Sequence, residues 1–115
     1  MDELVQRLSN GSHAVETARP EKTSKSLKEC IDRGYVHVNF MTTGTELGTK
    51  LDLGKCNFQN CDFEKGEGKI HLEGGLTLNY VKVKLTAEVD LGSLQGTGQL
   101  VAVDDAEYAR IMNKN

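Results

Sequence analysis

The sequence contains no tryptophan, a single proline and only 5% aromatic residues. Its core must therefore be mostly aliphatic, drawn from leucine and valine. No apolar run approaches the ~20 residues that cross a bilayer as a helix. Basic residues do not outnumber acidic ones: 14 stand against 17, a formal net charge of −3. That balance lacks the basic stripe of a non-specific nucleic-acid binder. Neither a membrane span nor a nucleic-acid partner is expected. The stretch from Met1 to Ser9 has no basic region leading into an apolar one, so it does not read as a signal peptide. Cys30, Cys56 and Cys61 form an odd set with no framework spacing. Without an export signal they read as reduced thiols, and the expected location is cytoplasmic.

What the sequence does have is alternation. From Gly74 to Leu91 apolar residues occupy every second position, first at Leu76, Leu78 and Tyr80. The phase then slips by one, and Val81, Val83, Leu85, Ala87, Val89 and Leu91 carry the apolar face. Strand side chains alternate faces with period 2, so a one-residue slip turns over every later side chain. Either a bulge absorbs the slip or the chain turns a corner there; a bulge or bend at residues 79–82 is expected, letting one strand serve two parts of a curved sheet. Gly74-Gly75 reads as a two-residue hairpin turn joining Ile70 and Leu72 to that strand. Val36, Val38 and Phe40 alternate with His37 and Asn39, and Leu47, Leu51 and Leu53 continue after a turn at 41–45, which gives another hairpin. Gln99 to Val103 is a last strand after a glycine-containing turn at 93–98.

Three helices are expected around these strands. Leu4, Val5 and Leu8 suit a short helix over residues 2–9. Leu27, Cys30 and Ile31 form the stripe of a second. Pro20 is placed at its first turn, or Ser26 and Glu29 form a capping box if it starts later; Gly34 follows it and Tyr35 packs back on its last turn. Asp104 or Asp105 caps a third, whose docking face is Tyr108, Ile111 and Met112. At 115 residues the chain is one α+β domain. It divides into residues 1–19 (N-terminal helix and connector), 20–103 (helix plus antiparallel sheet) and 104–115 (C-terminal helix). The expected architecture is a curved antiparallel β-sheet of about five strands, with helices packed on one face.

The chemistry-bearing residues do not converge in sequence. Cys56 and Cys61 have zinc-like spacing but no second pair. His37 and His71 lie out of phase with the apolar residues of their strands, so both belong on a wet face, and His13 falls in the connector. Gly44 to Lys50 and Gly96 to Gly98 imitate phosphate loops without the following helix such a loop requires. No catalytic, cofactor-binding or metal-ligating residue is assigned. Lys82 and Lys84 share a face with Thr86, Glu88 and Asp90, so that face runs from basic to acidic. The candidate interaction face comprises Tyr80, Lys82, Lys84, His37 and Asn39.

Residues 51–65, with Leu53, Phe58 and Phe63 each following Asp or Asn by one, resemble three pentapeptide repeats. Fifteen residues are too few to close one coil of such a solenoid, and a local turn with Phe58 and Phe63 pinned into the core accounts for them. The segment Gly-Lys-Ile-His-Leu-Glu-Gly-Gly-Leu-Thr-Leu at 68–78 resembles one in the sterol-carrier-type lipid-binding domain. That resemblance implies a sheet covered by helices over an apolar tunnel; it ends where this chain continues in a charged strand, and no site residue carries over. The leading reading is a non-catalytic cytoplasmic accessory or protein-interaction module, bound to a protein partner or to itself as a homodimer. The alternatives are a small apolar-ligand (lipid-like) binding protein with a pocket between sheet and helices, and a small enzyme using His37 or His71 with a cysteine.

Overall fold

The alternating segments pair into a closed barrel. The computed structural model describes residues 2–113. Its strands are β1 (His13–Glu16), β2 (Tyr35–Phe40), β3 (Thr45–Leu51), β4 (Cys61–Asp62), β5 (Glu67–Leu78), β6 (Val81–Asp90) and β7 (Gln95–Ala102). The helices are α1 (Glu3–Ser9), α2 (Ser24–Arg33) and α3 (Asp105–Asn113), with a 3₁₀ turn at Leu53–Lys55. The strand order is β3-β2-β1-β7-β6-β5-β4, and β3 also pairs with β5. That last pairing, Lys50 with Gly75 and Leu51 with Gly74, closes six strands into a barrel and leaves β4 as a short flap on β5. The expected open sheet of about five strands is thus corrected to a closed six-stranded barrel. Closure removes the edges that an open sheet exposes.

Two local readings changed with it. Gly74-Gly75 is not a turn but the middle of β5. A Cβ on Gly74 would stand 2.3 Å from the Lys50 carbonyl oxygen, and one on Gly75 would stand 2.8 Å from the Ile111 side chain. The two glycines let β3 approach from one side and α3 from the other. The reversal lies instead at Asn79-Tyr80, a two-residue loop with Leu78 paired to Val81. The phase slip is therefore the hairpin itself and not a bulge. Paired residues share a face, so Leu76 matches Val83 and Gly74 matches Leu85. The face carried by even positions before the loop is carried by odd positions after it.

The segment expected as a connector supplies β1, which lies between β2 and β7. It is short, and its burial pattern shows one buried residue, Val15, so alternation gave little signal. Helix α2 starts at neither expected place: the side chain of Thr23 caps it, accepting from Ser26 N–H at 3.0 Å. Gly34 ends it in the left-handed conformation at φ 79°. Tyr35 does not pack back on the last turn but lies 47% exposed.

Val38, Phe40, Leu72, Leu85 and Leu100 fill the barrel with no solvent exposure. Each such aliphatic or aromatic side chain contributes about 1.5–3 kcal/mol. Val5 and Leu8 of α1, and Leu27, Cys30 and Ile31 of α2, belong to the same continuous core. Phe58 and Phe63 are half-buried and pack against it with ring centroids 6.2 Å apart. Helix α3 is different: it packs outside the barrel, on the Gly75 side of β5, through Ile111. The second and third helices therefore do not share one face of a sheet, as expected from sequence.

Candidate interaction surface

The β5–β6 loop is the most exposed aromatic feature among the described residues. Tyr80 is fully solvent-exposed, at 101% of its reference area. Asn79 and Tyr80 both have positive φ, 48° and 68°. Positive φ at both central residues defines the type I′ hairpin, whose twist matches that of the flanking strands. Asparagine tolerates this conformation; tyrosine does so at a cost. The loop is tied down by Asn79, whose amide nitrogen donates to an Asp2 carboxylate oxygen at 3.2 Å. The same oxygen accepts from Val5 N–H at 3.1 Å and so caps α1. The Asn79 hydrogen bond, with the Val5 amide, holds the Asp2 carboxyl below its ordinary pKa.

A second turn stands at the same end of the barrel. Because β3 and β5 are antiparallel through Lys50 and Gly75, β3 starts at the end toward which β5 runs. The turn at residues 41–44, between β2 and β3, therefore lies at the end that carries Tyr80. It exposes Met41 at 39%, and Gly44 adopts φ 65°.

The other candidates are dispersed. Lys82 donates to Asp105 at 2.8 Å and lies 5.3 Å from the centre of the Tyr108 ring, so α3 engages it from outside. Its hydrogen bond to Asp105 keeps its ammonium pKa above the ordinary value. Lys84 lies on the same outer face of β6, near Glu107 of α3. His37 and Asn39 stand on β2, with His37 edge-on to Tyr35 at 5.4 Å. The geometry thus puts Tyr80 at the barrel end, the lysines beside α3, and His37 with Asn39 on another stretch of wall.

His71 has its imidazole between two carboxylates, Glu73 Oε2 at 2.7 Å from Nε2 and Glu88 Oε1 against Nδ1. Partial burial lowers its pKa, but the hydrogen bonds to Glu73 and Glu88 outweigh it, and the pKa stands above the ordinary histidine value. Both ring nitrogens are engaged, so neither is aimed at a thiol. Burial pushes the Cys56 and Cys61 thiols up, toward the protonated form rather than the thiolate a nucleophile needs. Among the described residues, no cluster of three or more His, Cys, Asp or Glu side chains is arranged to hold a metal ion. Asp2 was legible as a favourable residue near the start of the first helix, but its contact with Asn79 was not; Asn at the phase slip was the available signal for a type I′ loop.

A small closed barrel presenting an exposed aromatic on a fixed hairpin has the build of a protein-binding domain. The chain belongs to the core binding factor beta subunit family, whose sequence signature matches residues 1–114. Two Drosophila melanogaster proteins are similar to it. Protein brother is 32% identical, across 86% of this chain and 50% of that protein. Protein big brother is 29% identical, again across 86% of this chain and 50% of its own length. The chain spans about half the length of these relatives. Membership assigns a non-catalytic protein-interaction fold and replaces the resemblance to sterol-carrier-type domains.

Proposed function

We propose that this chain is the partner-binding domain of a core binding factor, docking its companion subunit through the barrel end that carries Tyr80. The carrying observation is Tyr80 itself: a fully exposed tyrosine held in left-handed backbone at the tip of a two-residue hairpin. An aromatic presented on a rigid loop loses little conformational entropy on binding, and aromatic anchors dominate protein interfaces. The exposed Met41 at the same end extends the apolar contact. An intracellular, reducing setting is part of the proposal, supported by three free cysteines.

Self-association is the competing reading. Its motive, the basic-to-acidic face of β6, is partly satisfied within the chain, where Lys82 meets Asp105 and Glu88 meets His71. A lipid-like ligand draws no support from the barrel interior, which is filled by side chains such as Phe40, Leu72 and Leu85. Light scattering on the chain alone and mixed with the companion subunit separates these readings. The expected result is a monomer alone and a one-to-one complex in the mixture. Tyr80→Ala, which removes no buried contact, should weaken that complex by about tenfold or more. A stable homodimer that excludes the companion, or a complex indifferent to Tyr80→Ala, would overturn the proposal.

A further inference from the structure

A cleft of about 420 Å³ opens between the C-terminal turn of α2, the segment carrying Arg19 and the outer face of β2. Arg19, Cys30, Arg33, Tyr35, His37 and Glu46 line it. One wall is aromatic. Tyr35 and His37 share the outer face of β2, as residues two apart in a strand do. Their rings meet edge to face at 5.4 Å and 84°. The Tyr35 ring reaches across Gly48, where a Cβ would stand 1.9 Å from the phenol oxygen. Glycine at 48 is what lets the ring lie there.

The other wall is cationic. Arg33 donates from Nη2 to the Cys30 sulfur at 3.6 Å, a weak contact with a neutral group. Among the described residues it has no carboxylate partner, because neighbouring Asp32 is held by Lys28 at 2.8 Å. Arg19 forms an ion pair with Glu46, Nε to Oε1 3.1 Å, and its terminal nitrogens have no partner among the described residues. Two guanidinium groups against one carboxylate leave the cleft positive. A planar guanidinium fork fits a phosphate in two-point contact.

The geometry points to an aryl phosphate as the ligand of this cleft, with its ring against Tyr35 and His37 and its phosphate oxygens between Arg33 and the free edge of Arg19. The ligand is either a phosphotyrosine side chain of another protein or a free aryl phosphate. This site is separate from the Tyr80 end and does not rest on the reading of that end.

An NMR titration of the whole chain with phenyl phosphate tests it. Saturable shifts are expected at residues 19–20, 30–37 and 46–48, with Kd of about 1 mM or tighter. Inorganic phosphate and phenol should each bind about tenfold more weakly, since each lacks half of the contacts. Arg33→Ala should weaken phenyl phosphate by about tenfold, and Arg33→Lys should recover only part of that loss. Arg33 is exposed, so amide positions away from the cleft should not move in either variant. Gly48→Ala displaces the Tyr35 ring and should remove the preference for phenyl phosphate over inorganic phosphate. A short phosphotyrosine peptide that binds more tightly than phenyl phosphate places the ligand on a protein; equal or weaker binding places it among free aryl phosphates. No saturable shift, unchanged affinity in Arg33→Ala, or inorganic phosphate binding as tightly as phenyl phosphate would overturn the inference.

Discussion

At the scale of single residues, His71 carries a charge whose effect on stability has a definite sign. As an imidazolium it donates to Glu73 on its own strand and to Glu88 on β6, so it links the two strands of the longest hairpin. Its folded-state pKa is raised above the ordinary histidine value. A raised pKa means that the folded chain binds the proton more tightly than the unfolded chain. The resulting stabilisation is fully present below the unfolded value and disappears as pH climbs through the folded one. Thermal melts from about pH 5.5 to about pH 8.5 should therefore show a decline in the wild type that is smaller in His71→Gln. Equal slopes in the two proteins would assign the decline to other groups. The sequence placed His71 on the wet face of its strand. It contained no sign of the two glutamates, because the Glu88 contact depends on cross-strand register.

At the scale of elements, α3 is held by a buried charge pair and by the room that Gly75 leaves for Ile111, while Gly74 admits β3. Asp52 is 1% exposed and accepts from Arg110 Nη1 at 3.1 Å. Its other carboxylate oxygen is buried with no hydrogen-bond partner among the described residues. Lys50 also donates to the Met112 carbonyl near the end of the helix. Removing one partner of a buried pair leaves the other charge uncompensated. Arg110→Ala should lower the urea midpoint, because it leaves the Asp52 carboxylate buried without its charged partner. Asp52→Asn should cost less, since it removes the buried charge along with the pair. Gly74→Ala should cost about 2–3 kcal/mol by a different route, since its Cβ would meet backbone at the β3–β5 seam. The docking face of α3 was legible from the spacing of Tyr108, Ile111 and Met112. The seam was not: Gly-Gly between alternating segments is also what a tight turn looks like, and local sequence does not reveal that Lys50 pairs with Gly75 and Leu51 with Gly74. Strand β1 was invisible for a related reason, being four residues long and paired on both sides by distant strands.

At the scale of the whole molecule, barrel closure and the Asp2 cap on α1 fix the frame from which the β5–β6 loop projects. The loop itself departs from the residue its backbone favours. A type I′ loop prefers Asn-Gly, and this chain has Asn79-Tyr80. The tyrosine buries nothing within the chain, so its left-handed backbone is a cost with no folded-state return. Tyr80→Gly should therefore stabilise the isolated chain by about 1 kcal/mol, seen as a higher urea midpoint at unchanged slope. If Tyr80 is the docking anchor, the same substitution must weaken the complex with the companion subunit by about tenfold or more, because glycine keeps the loop but presents no side chain. Opposite signs in the two measurements would separate a residue selected for binding from one selected for folding. A Tyr80→Gly chain that is more stable and binds equally well would remove Tyr80 from the interface, and one that is less stable would show that the tyrosine makes contacts in solution that its full exposure here excludes.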